Sequence, residues 1–115
     1  MGDLFMIDEV QSYITRYSDE IQNLFLEVRR IVIQSVSCEL EERMWAKLPS
    51  YYLGERFIRI IPFKDHLNIE AKAVIEYSEL LKRYKITPKG MLQINLDKEI
   101  PEDILKTIFN KTLTE

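Results

Sequence analysis

Ile7, Val10, Tyr13, Ile14 and Tyr17 recur at helical spacing, which predicts a short amphipathic helix over 7–17. Ser18 suits the N-cap of a second helix, and Asp19 and Glu20 place negative charge at its positive end. Ile21, Leu24, Phe25, Val28, Ile31 and Val32 then step by three and four. That stripe predicts a long helix to about Val36, wide enough to cover a sheet, with Arg29 and Arg30 facing away from it or at its edge.

The period changes to two after Cys38. In "RMWAKL" (43–48), Met44, Ala46 and Leu48 share one face, and Arg43, Trp45 and Lys47 share the other. Pro49 cannot donate to a ladder, so it is expected to end or bend that strand. "SYYL" (50–53) and "RFIRIIPF" (56–63) flank Gly54-Glu55, a two-residue hairpin turn. A further strand begins at Asp65, with Leu67 and Ile69 facing a core and His66, Asn68 and Glu70 facing away. Residues 71–84 return to a weak helical period, "TPKG" (87–90) is a turn, and "MLQINL" (91–96) alternates as a last strand. Pro101 suits a first helical position, Glu102 and Asp103 support the turn that follows, and Ile104, Leu105, Ile108 and Phe109 form a closing stripe. Helices at both ends and hairpin-linked strands between them predict an α+β domain. Its antiparallel β-sheet has about five strands, flanked by N-terminal helices, a helix after the fourth strand and a C-terminal helix.

Composition narrows the class. A chain of 115 residues suits one domain, and 46% hydrophobic with 30% charged residues is a globular balance. No apolar run approaches the roughly 20 residues that span a bilayer. "MGDLFMIDE" lacks the basic and apolar regions of a secretory leader, and "MGDLFM" lacks a Ser or Thr at its sixth position for myristoylation. Cys38 stands alone, so an internal disulfide is excluded and a cytoplasmic location is expected. The net charge of −3 argues against a general nucleic-acid binder. It hides an asymmetry: residues 1–42 carry −6, residues 43–90 carry +5 and residues 91–115 carry −2. The middle third can present a local positive field.

Several chemistries lack their residues. Three scattered glycines build no phosphate loop, and no His/Cys cluster has zinc spacing. Cys38 and His66 are the one nucleophile–base combination, and Cys38 reads better as filler at a helix exit. The carboxylates of "CELEER" and "LDKEIPED" read as solvated runs, so a non-enzymatic protein is expected.

Three stretches carry a family resemblance. "EERMWAKLPSYYL" (41–53), "FKDHLNIE" (63–70), and "KG" (89–90) with "LQINLDKEIPEDILKTI" (92–108) occur in an order and spacing that resemble the YdhG-like family. This is a family of small bacterial domains of unknown function, some described as frataxin-like intracellular iron chaperones, and the likeness runs from about Val10 to Lys111. The chain departs from the family's pattern in three places. Lys47 stands where Gly is common, Glu70-Ala71 where Tyr-Pro often follows the His strand, and Asn110, Lys111 and Thr112 near the end of the last helix. The resemblance implies iron binding and delivery, with iron weakly held.

Two sites follow as expectations. A small anionic ligand would be held by Arg59, Lys47 and His66 beside the flat walls of Trp45 and Tyr51, with Asn68 on the His66 face and Lys89 in the Lys-Gly turn. This requires Arg59 and His66 on one face; otherwise that face is plain exposed sheet with Arg59 lying over a ring. Iron prefers carboxylate and imidazole ligands, which points to His66 with Glu70, or to Glu39, Glu41 and Glu42. A third class is an interaction module steered by the charge separation. The expected partner is therefore a small molecule, a metal ion or a protein, with neither nucleic acid nor membrane, and the chain a monomer or weak homodimer.

Overall fold

In the computed structural model, which describes residues 5–115, helices α1 (Asp8–Ile14) and α2 (Asp19–Gln34) lead into four strands. These are β1 (Glu41–Trp45), β2 (Leu48–Leu53), β3 (Arg56–Pro62) and β4 (His66–Glu70). A 3₁₀ segment (Lys72–Leu81), the short β5 (Lys85–Ile86), β6 (Leu92–Asn95) and helix α3 (Glu102–Thr114) complete the chain. The strands form one antiparallel sheet in the order β1-β2-β3-β4-β6-β5. The fold is α+β, as the periodicity predicts, with six strands rather than five. The extra strand is β5, which pairs Lys85 with Gln93 and Ile86 with Leu92. Two residues are too few to show a period, so only the pairing partner reveals it. The reading of the N-terminus as free of a leader or lipid signal rests partly on residues 1–4, which lie outside the described residues.

Alternation sorts the sheet into two faces. Tyr51, Ile58, Ile60, Leu67, Ile69, Leu92 and Ile94 are buried beneath the helices. From α2 come Ile21, Phe25, Val28, Ile31 and Val32, and from α3 come Leu105, Ile108, Phe109 and Leu113. The α2 stripe packs on β3 and β4 as its width predicts. Ser18 caps this helix, its hydroxyl accepting from the Ile21 N–H at 3.2 Å. The C-terminal end of α2 is tied to α3 at two points. Arg30 reaches Glu102 in the first turn of α3 at 3.0 Å, and Asn110 donates to the carbonyl of Ser35 at the exit of α2.

Three local expectations are corrected. The alternating stretch 43–48 is two strands, because the chain turns at Ala46-Lys47 and Trp45 pairs with Leu48. Leu48 therefore shares the face of Trp45, and Pro49 lies inside β2 opposite Met44. Both turn residues have positive φ (50° and 66°), which a two-residue I′ turn demands and which normally selects Asn-Gly. No glycine marked the spot. The Gly54-Glu55 turn, by contrast, forms where its glycine predicts, with Gly54 at φ +65° and Leu53 pairing with Arg56. The helix expected over 71–84 is a 3₁₀ run broken by non-helical geometry at Tyr77. Finally, Arg29 does not face solvent. It turns from the stripe edge into the interior and meets Glu42 at 2.7 Å.

Candidate functional site

The face of the sheet opposite the helices holds most of the polar residues singled out from sequence. Ser50, Arg59 and Glu70 align across β2, β3 and β4; Ile61, Asn68 and Gln93 form the next row; His66 pairs with Asn95. Arg59 and His66 thus share a face, as the anion reading requires. Yet Arg59 is enclosed and only 4% exposed. Its Nε donates to Ser50 Oγ (3.1 Å), Nη1 to Glu70 Oε1 (3.3 Å) and Nη2 to the Tyr52 hydroxyl (3.0 Å). The Trp45 and Phe57 rings cover it at 3.9 and 3.8 Å. All three nitrogens serve the fold, and the guanidinium lies over rings as the plain-sheet alternative describes.

The other members of that set scatter. Tyr51 faces the helices, not Trp45, because adjacent strand residues point to opposite sides. Its hydroxyl donates to Glu42 Oε2 at 2.7 Å, and burial raises its pKa well above the ordinary value. Tyr52 occupies the place expected of Tyr51. Lys47 sits exposed on the β1–β2 turn. His66 stacks on Phe63 (ring centres 4.6 Å apart, 12° between planes), and its Nδ1 lies 2.7 Å from Asp65 Oδ1. That contact with His66 holds the Asp65 carboxyl below its usual range. Asn68 Oδ1 is buried without a hydrogen-bond partner among the described residues.

The proposed iron ligands are not gathered either. Glu42 points into the interior, bound to Arg29 and Tyr51 and accepting the Ile7 N–H at 2.9 Å, whereas Glu39 and Glu41 are exposed. Strand alternation separates Glu41 from Glu42. Glu70 shares the His66 face but stands four residues along the strand and is tied to Arg59. Among the described residues, no group of three or more His, Cys, Asp or Glu side chains is placed to hold a metal ion.

A cleft of about 730 Å³ lies at the end of the sheet where Phe57 and Glu70 also terminate the Arg59 stack. Phe57, Ala71, Ala73 and Ile75 supply apolar lining. Lys72, at the start of the 3₁₀ segment, and Lys89, in the Thr87–Gly90 turn, also line it. The turn is stiff: the Gly90 N–H donates to the Thr87 carbonyl, and the Thr87 hydroxyl accepts the Met91 N–H at 3.1 Å. Pro88 presets one central φ, and Gly90 supplies φ +87°, with Ile75 Cδ1 3.4 Å from where a Cβ would stand. Ala73 N–H donates to Thr112 Oγ1 and so fixes the 3₁₀ segment to α3.

The charges of the cleft are unequally committed. Lys111 pairs with Glu76 at 2.8 Å, a hydrogen bond that raises the lysine's pKa, and Arg56 donates to the main-chain carbonyl of Glu115 at 2.6 Å. Glu70 is engaged by Arg59, while Glu55 sits exposed on the hairpin turn. Lys72 and Lys89 are exposed and ion-paired to no other described residue. Of the cleft cations, sequence reading selected Lys89 alone. Lys72, Arg56 and Lys111 come from three further elements, and no local spacing links them.

Fold and site together define a two-layer α+β domain with helices on one sheet face and a cation-flanked cleft at its end. No family model, curated protein or solved structure matches the chain. No helix among the described residues is long and apolar enough to cross a membrane.

Proposed function

We propose that this chain is a cytoplasmic, non-enzymatic binding protein that takes a small anionic ligand with an apolar body into the end cleft. The observation that carries the reading is that two uncommitted lysines, Lys72 and Lys89, line one cleft with the apolar Phe57, Ala73 and Ile75. A carboxylate or phosphate between the ammonium groups gains charge-assisted hydrogen bonds, and the apolar part covers the apolar lining. The stiff Thr87–Gly90 turn supports this by holding the Lys89 backbone in place, which lowers the ordering cost of binding. The lone Cys38 supports the reducing compartment.

Benzoate and phenyl phosphate are suitable probes. Titrating each while following backbone amide resonances should move Arg56, Lys72, Ala73, Lys89 and Gly90 together, and Lys72→Glu with Lys89→Glu should abolish the shifts. Absence of localised shifts at millimolar probe, or shifts that survive the double variant, would overturn the reading. Iron as cargo draws its support from the YdhG-like resemblance. A ferrous titration that moves Glu39, Glu41 and His66 while leaving Lys72, Ala73, Lys89 and Gly90 still would favour it instead.

A further inference from the structure

The outermost strand β1 has a free edge with an ordered pattern. Trp45 and Leu48 flank a two-residue turn, so they form a hydrogen-bonded pair, and hydrogen-bonded pairs recur at every second residue. Arg43–Ser50 and Glu41–Tyr52 therefore direct their backbone groups inward to β2. Glu42 and Met44 direct theirs outward, and none of the backbone hydrogen bonds outside the helices and the sheet ladder reaches β1 from a described residue. Natural edges are blunted by proline, bulges or inward charge. The outward-directed edge of β1 carries neither proline nor bulge, and its inward charge, Glu42, is already neutralised by Arg29.

We propose that β1 pairs antiparallel with β1 of a second copy of this chain, about a twofold axis at Glu42. In that register the outward backbone groups of Glu42 meet their own symmetry mates. On the open face, exposed Glu41 meets exposed Arg43 of the other copy, twice. On the helix-covered face, buried Leu40 meets half-buried Met44, again twice. On the open face opposite charges meet; on the covered face apolar side chains meet on either side of the axis, where Glu42 faces its own mate with each carboxylate held by its own Arg29. Moving the register by two residues sets Arg43 against Arg43, or Glu41 against Glu41, on the open face, so charge on that face favours the proposed alignment over both neighbours. A single strand pair buries little surface, which makes the association weak and concentration-dependent.

Charge inversion in two separate variants tests register as well as association. Sedimentation equilibrium over micromolar to millimolar protein should show reversible dimerisation that weakens with salt. Arg43→Glu and Glu41→Arg should each weaken it roughly tenfold or more, because each sets like charges opposite one another. An equimolar mixture of the two should dimerise again, since one chain then carries two acids and the other two bases. Both substitutions are at exposed positions, and amide-shift dispersion checks that each variant folds. A wild-type chain that stays monomeric at millimolar concentration would overturn the proposal. So would unweakened association of either variant, or a mixture no better than its parts.

Discussion

The guanidinium carbon of Arg59 lies 3.9 Å from the centre of the Trp45 ring. With Phe57 on its other side, Arg59 stitches β1, β2, β3 and β4 together on the face the helices leave open. Such a cation gains from each ring and from each charged hydrogen bond. Its loss also leaves Ser50, Tyr52 and Glu70 without their donor. Arg59→Ala should therefore cost about 2 kcal/mol or more in urea unfolding. Arg59→Lys, which keeps the charge but not the planar fork, should recover only part. Trp45 is the sole tryptophan, so its emission reads the same change in the folded state.

The β1–β2 turn stores strain. Ala46 and Lys47 both hold positive φ, where a Cβ costs roughly 1–2 kcal/mol per residue. Lys47→Gly removes one such penalty at some cost in unfolded-chain entropy, and a net gain of roughly 0.5–1 kcal/mol is expected. A raised urea midpoint with unchanged slope would show it. No gain would mean that Lys47 makes a compensating interaction in the folded chain.

The buried pair Arg29–Glu42 should be the most sensitive polar contact. Glu42→Gln removes the carboxylate that Arg29, Tyr51 and the Ile7 N–H all bond in the interior. A loss of about 3 kcal/mol or more is expected from equilibrium unfolding. Adding Arg29→Met to Glu42→Leu should lose less than either charge removal alone, because both members of the buried pair then go together.

The pH dependence has two limbs. His66 hydrogen-bonded to Asp65, and Arg30 and Lys106 beside Glu102, hold those two carboxyls below their ordinary range. A depressed folded pKa means stability that is present above about pH 4 and is lost as pH falls through the folded value. Burial raises Tyr51. A raised folded pKa means stability that is whole below about pH 10 and is lost as pH climbs past it, when the unfolded tyrosine ionises first. Urea melts across pH should show both limbs, and Tyr51→Phe should make the alkaline one shallower, with burial of Tyr13 and Tyr84 supplying the remainder, while leaving the acid one.

Much of this was legible because alternation and helical period are local. Strand parity alone put His66, Asn68 and Glu70 on one face, which Arg59 joins only through the register of β3 with β4, and the wide stripe from Ile21 to Val32 marked α2 as the sheet's cover. The Ala46-Lys47 turn was not legible, since the fold imposes there a conformation for which neither residue is suited. Of the site, the sequence marked Lys89 as an anion contact and Glu70 only as a metal candidate. Their companions Lys72, Arg56 and Lys111 become neighbours through closure of the sheet on α3, which no short-range pattern records.

The amino-acid order thus determined the elements, their inward and outward sides, and the charge imbalance between the first and middle thirds, because each depends on residues a few places apart. Tertiary packing decided which polar groups are used up. It spent the donors of Arg59 on Ser50, Tyr52 and Glu70, turned Glu42 inward to Arg29, and left Lys72 and Lys89 unengaged. A charged side chain is free or committed only by virtue of what long-range register brings within hydrogen-bonding distance of it.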